Sequence, residues 1–91
     1  MRFRISRHSG NLAPPDAMEL LLRRLGARRD EVSFAMVGTE IRAMTDEAEG
    51  DSQSRDSRVE ASRRAVFELV DEACRNAPEL QSGWFAVSHL A

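Results

Sequence analysis

Val32 to Val37 and Glu40 to Thr45 are two short runs rich in β-branched, aromatic and other apolar residues, separated by Gly38-Thr39. That is the pattern of two half-buried strands joined by a tight turn. Glycine at the first central position accepts positive φ without steric cost, so Gly38-Thr39 predicts a two-residue hairpin of type II′. The register that follows pairs Met36 with Ile41 and Phe34 with Ala43 on one face, and Val37 with Glu40 and Ala35 with Arg42 on the other. The first face is apolar enough to be core.

A period of two runs through Met1 to Ser6, where Phe3 and Ile5 alternate with Arg2, Arg4 and Ser6. Arg7 to Pro15 interrupts it with Ser9, Gly10, Asn11 and two prolines, a loop. The period then changes to that of a helix. Met18, Leu21, Leu22 and Leu25 form one stripe, Asp16 is the expected N-cap with Glu19 three residues on, and Gly26 closes the segment. Asp46 to Asp56 is polar, mostly acidic and without period, which predicts a flexible surface loop. A second helix is expected to open on Ser57-Arg58-Val59-Glu60, a capping-box pattern, and to bury Val59, Val66, Phe67, Leu69, Val70, Ala73, Cys74 and Ala77. Glu60 with Arg64 and Asp71 with Arg75 have ion-pair spacing on its exposed side, and Pro78 marks its end. Gly83 to His89 reads as a last strand.

The element order is therefore β-α-β-β-α-β, in an α+β chain expected to form a single domain over residues 1–91, the acidic loop at 46–56 lying between the third strand and the second helix. Each strand-helix-strand half needs the other to bury its apolar faces. Two helices on one face of a four-stranded antiparallel sheet meet that need. By element order alone the chain resembles the ferredoxin-like, split-βαβ two-layer sandwich, with strands 1 and 3 central and strands 2 and 4 at the edges. In that arrangement Arg2, Arg4, Ala35, Val37, Glu40, Arg42, Met44, Trp84 and Ala86 point away from the helices. Arginine and tryptophan beside apolar residues is a composition enriched at interfaces.

Composition narrows the possibilities only a little. The chain has 13 basic residues, all arginine, against 15 acidic ones, for a formal charge of −2, which disfavours generic binding to nucleic acid or to a membrane surface. The one cysteine, Cys74, excludes an internal disulfide and, with only His8 and His89 for company, gives no zinc-ligand pattern. A reducing, cytoplasmic setting is expected. The N-terminal residues lack the long apolar run of a signal peptide, and no segment has the length and apolarity to span a bilayer.

No glycine-rich phosphate loop, HExxH helix, GxSxG elbow or CxxC pair occurs, so neither a catalytic residue nor a cofactor or metal site is predicted. His8 and Ser9 are adjacent, a spacing that seldom gives the geometry of a nucleophile and its base, and His8 reads as a loop histidine. His89 falls on the face of Phe85 and Val87, at the opposite end of the sheet from His8. Arg23, Arg24, Arg28 and Arg29 gather near the end of helix 1, where the helix dipole favours cations. The acidic loop lacks the ligand order of an EF-hand. The RNA-recognition motif has this element order too, but stacks bases on aromatic residues of its central strands, where this chain places Arg2, Arg4, Glu40, Arg42 and Met44.

The expectation is a small non-catalytic interaction or regulatory module that associates with itself, as a homodimer, or with a protein partner. It would act through the open sheet face or an edge strand, with Arg2, Arg4, Arg42 and Trp84 as candidate partner or anion contacts. The first alternative is anion or nucleic-acid binding through the outward arginines. The second is a small dimeric enzyme with a pocket at the sheet face, which rests on fold analogy alone.

Overall fold

A computed structural model describes residues 1–26, 28–29, 31–46 and 55–90. In chain order the elements are β1 (Arg2–Arg7), α1 (Pro14–Leu25), β2 (Arg28–Arg29), β3 (Val32–Val37), β4 (Glu40–Thr45), α2 (Arg55–Arg75), one turn of 3-10 helix (Ser82–Trp84) and β5 (Phe85–Leu90). The four six-residue strands form an antiparallel sheet in the order β3-β4-β1-β5, and the two-residue β2 adds to its β3 edge. The chain is thus α+β, with the first and third long strands central, as the element order predicts. β2 is not predicted, because two residues carry no period.

The hairpin forms in the expected register, with Met36 opposite Ile41, Phe34 opposite Ala43, Ala35 opposite Arg42 and Val37 opposite Glu40. Gly38 sits at φ +62°, the left-handed region that a β-carbon disfavours. Alternation then sorts the strands. Phe3, Ile5, Phe34, Ile41, Ala43, Phe85 and Val87 are buried, together with Ala17, Met18, Leu21 and Leu25 of α1 and Val66, Leu69, Val70, Ala73 and Cys74 of α2. They form one continuous core between the helices and one sheet face. Met36, at the turn end of the hairpin, and Val59 and Phe67 of α2 pack against it while remaining partly exposed.

Both helix starts differ from the sequence expectation. α1 begins at Pro14 with Ala13 in the cap position and no side-chain cap, so Asp16 lies inside the first turn rather than before it. Proline suits the first helical position because its missing N–H has no intrahelical partner there to lose. Gly26 does close α1, at φ 81°, with its N–H donating to the Leu22 carbonyl at 2.9 Å. α2 already includes Arg55 and Asp56, two residues assigned above to the acidic loop, and this makes Ser57 an interior residue. Glu60 is held by Arg63 at 2.7 Å and by Arg64 at 3.5 Å instead of closing a capping box. Residues 47–54 of the predicted acidic loop lie outside the described residues.

The last strand also starts later than predicted. Gly83 and Trp84 belong to the 3-10 turn, in which the Trp84 N–H donates to the Gln81 carbonyl at 3.0 Å and the Phe85 N–H bends back to Ser82. Gly10 packs directly on Trp84. Its backbone, at φ +123°, lies on the indole, so that an added β-carbon would come within 2.5 Å of Trp84 Cδ2 and 2.8 Å of Cε3. The His8 N–H donates to the Trp84 carbonyl at 2.8 Å, and Arg7 Nη1 donates to the Gly10 carbonyl at 3.2 Å. The loop after β1 and the turn before β5 are therefore locked together.

Gly10→Ala combines unfavourable backbone strain with overpacking against the ring, for an expected loss of about 2–4 kcal/mol. In a Trp84→Ala background only the backbone term remains, so the same substitution should cost about 1 kcal/mol. Denaturant unfolding of the four proteins of this cycle measures the difference. Equal costs in both backgrounds would mean that the loop does not rest on the indole.

Candidate functional site

The face of the sheet opposite the helices is a grid whose rows follow from the registers. Ser33, Met44, Arg2 and Leu90 form one row across β3, β4, β1 and β5, and Ala35, Arg42, Arg4 and Ser88 form the next. Beyond these, Val37 faces Glu40, and Ser6 faces Ala86. Arg2, Arg4, Ala35, Val37 and Met44 are exposed. Val37 at 47% and Met44 at 53% exposure are the large apolar side chains most open to water among the described residues.

Three arginines and one glutamate set the electrostatics of this face. Arg42 lies directly opposite Arg4 in the ladder, a like-charge placement that destabilises a sheet pair. Glu40, two residues from Arg42 on the same face, relieves it by accepting from Arg42 Nε at 2.8 Å. Among the described residues neither Arg2 nor Arg4 has an ion-pair partner. The face therefore combines two uncommitted guanidinium groups, one partly neutralised one, and apolar side chains on either side of them. Among the described residues its one carboxylate, Glu40, is engaged by Arg42, and its arginines and apolar side chains suit a surface that brings carboxylates and apolar groups together.

The structure brings together three of the four residues singled out in the sequence, Arg2, Arg4 and Arg42, and separates the fourth. Trp84 is half-buried and lies beyond the end of β5, against Gly10, four residues along the chain from the Ser88 that faces Arg4. At the rise of a strand this is about 13 Å. Gly83 and Trp84 form the 3-10 turn, and the last strand begins after them, at Phe85. Leu90 and Ser88 join the face and were not singled out, although continuing the same alternation identifies both.

The remaining candidates fall elsewhere. His8 is exposed beyond the end of β1, opposite Trp84, whereas His89 lies on the core face opposite Phe3, with ring centroids 5.4 Å apart. The two histidines are at opposite ends of the sheet. The arginine group near the end of α1 is split: Arg23 pairs with Glu19 at 3.3 Å, while Arg29, in β2, pairs with Glu72 of α2 and ties the short strand to the helix layer. Arg28 and Arg29 follow the helix's end at Gly26 and form β2, while Arg23 and Arg24 are in its last turn. No group of three or more His, Cys, Asp or Glu among the described residues is placed to hold a metal ion. A cleft of about 310 Å³ between α1 and the hairpin turn is lined by Met18, Leu22, Met36, Gly38, Thr39 and Glu19, whose carboxylate is the one engaged by Arg23. Among the described residues no helix is long and apolar enough to cross a membrane.

No family model, curated protein or solved structure matches the chain. The candidate site rests on the geometry of its own residues.

Cys74 is buried in the core, and its thiol is pushed up to about 11, first by burial and then by the nearby Asp71 carboxylate. Against the unfolded chain, whose thiol ionises nearer 9, the thiolate fraction at mildly alkaline pH falls about a hundredfold. Because the folded value is the higher one, the neutral thiol's contribution to stability is complete below the unfolded value and is lost as pH rises from about 9 through about 11. Labelling of the native protein with a thiol reagent at about pH 8 should therefore be at least about a hundredfold slower than in denaturant. Comparable rates in the two states would place the thiol at the surface.

Proposed function

We propose that this chain is a non-catalytic interaction module that docks a protein partner on its open sheet face. The observation that carries the reading is the grid around Arg2, Arg4 and Met44. Among the described residues two cations without ion-pair partners stand next to exposed apolar side chains on a face that α1 and α2 do not cover. Arginine is weakly hydrated and enriched at interfaces, and it forms paired hydrogen bonds with carboxylates. The matching surface is acidic with an apolar centre. We also read the strand order β3-β4-β1-β5, with a helix in each strand-to-strand crossover, as the ferredoxin-like, split-βαβ arrangement, which leaves one sheet face uncovered. A cytoplasmic setting is part of the proposal and is supported by the single buried cysteine.

Anion or nucleic-acid binding through the same arginines is the second reading. Arg2, Arg4 and Arg42 favour it, but the indole that would stack a base rests against Gly10 instead. Only Glu40 among the outward residues offers a carboxylate, and Arg42 engages it, so the dimeric enzyme ranks last.

Identification of what co-purifies with the untagged protein from its native cells, compared between the wild type and an Arg4→Glu, Met44→Glu variant of unchanged circular dichroism, tests the proposal. A protein partner whose affinity falls about tenfold or more in the variant is the expected outcome. A nucleic acid retained with steep salt dependence would favour the second reading. The same protein partners bound equally by both chains would overturn docking on this face.

A further inference from the structure

The two edges of the sheet are unlike. On the β3 side, β2 pairs with the first two residues of the strand. On the other side β5 runs for six residues, Phe-Ala-Val-Ser-His-Leu, without a charge or a proline. Charges and prolines are the usual means by which an edge strand is kept from pairing with another chain.

The hydrogen bonds fix which backbone groups of β5 face outward. In an antiparallel ladder, opposed residues alternate between pairs that exchange two backbone hydrogen bonds and pairs that exchange none. The His8 N–H donates to the Trp84 carbonyl, and by alternation Ser6 bonds with Ala86, Arg4 with Ser88 and Arg2 with Leu90. The opposite side of β1 agrees, since the Thr45 N–H donates to the Met1 carbonyl at 2.9 Å, directing the odd residues of β1 at β4. Val87, opposite Ile5, belongs to the pairs that exchange none, so its N–H and C=O point away from β1 toward the outer rim.

We infer that Val87 is the centre of a β5-to-β5 pairing between two copies of this chain. This deepens the reading of the protein as an interaction module and rests on it. With a two-fold axis at Val87, each Val87 N–H donates to the other copy's Val87 carbonyl, and the two sheets become one. In this register Ala86 faces Ser88 of the second copy on the open side, and Phe85 faces His89 of the second copy on the helix side. Every opposed pair keeps its face, the apolar layer continues across the junction, and no charge meets a like charge. The segment is thus its own complement in parity and in charge, and at Val87 in hydrogen-bond direction, while the Phe85 N–H stays with the Ser82 carbonyl; that self-match is why a second copy is the occupant.

Sedimentation velocity from about 10 μM to about 1 mM, with residue-resolved amide exchange over the same range, tests the pairing. The expected result is a monomer–dimer equilibrium in which the Val87 amide gains about tenfold protection or more as the dimer fills. Ala86 and Ser88, bonded to β1 in either state, should be protected throughout. Ala86→Lys adds a charge at the rim and should weaken the dimer about tenfold or more while the core methyl resonances stay in place. If that variant fails to fold, the exchange pattern of the wild type decides alone. A monomer at the highest concentration overturns the pairing and leaves open-face docking to its own partner test. A dimer with unchanged Val87 exchange, or with new protection at Phe34 and Met36 on the other edge, also overturns it. If Met44 then shifts on dimerisation, the open-face reading stands without the edge.

Discussion

The parity of β1 is the constraint on which the rest of this structure depends. β1 is paired on both sides, and Phe3 and Ile5 on its helix side are completely buried. Arg2 and Arg4 are for that reason on the other side. A slip of one residue against either neighbour would drive two guanidinium groups into the core and expose a phenylalanine and an isoleucine in exchange. Burying an unpaired charge costs several kcal/mol, against a total folding stability of about 5–15 kcal/mol for a domain of ordinary size. The alternation of six residues therefore fixes the register of the sheet's centre and determines which residues compose the open face.

The open face carries a conflict that the fold tolerates rather than removes. Opposing Arg42 to Arg4 costs some sheet stability, and Glu40 offsets part of it through a contact that leaves Arg4 and Arg2 uncommitted. An apolar or small residue at Arg4 would stabilise the isolated sheet better. In the docking we propose, these guanidinium groups and the exposed Met44 and Val37 would be covered together, so that desolvated arginine and apolar area act at once.

Much of this was legible from the sequence because it depends on short-range periodicity. Gly38 marks the turn, two residues per repeat mark the hairpin faces, and the resulting register matches that of the folded chain pair for pair. The stripes of α1 and α2 were legible for the same reason, and so were the positions of Arg2, Arg4 and Arg42 on one face. The helix starts were less so. Asp16 and Ser57 are good caps by residue type, yet prolines at the start of α1 and a continuous helix from Arg55 override them. Trp84 and Arg29 were not legible at all, because what holds them is distant in sequence: Gly10 seats the indole and Glu72 receives the guanidinium. Local patterns carry no information about such partners.

The placement of Trp84 against Gly10 bears on the far edge of the sheet as well. Gly10 packs on the indole of the 3-10 turn, the strand that follows begins at Phe85, and the His8–Trp84 hydrogen bond is in phase with its ladder to β1. Shifting that phase by one residue would turn the backbone groups of Val87 inward to β1 and those of Ala86 and Ser88 outward. The loop after β1 thus shares the phase that decides which amides the far edge presents, although it touches none of them. A glycine packed on a tryptophan at one end of the sheet and an uncharged rim along its side are linked through that phase: the β5–β5 pairing we infer would use the groups at Val87 that the phase turns outward.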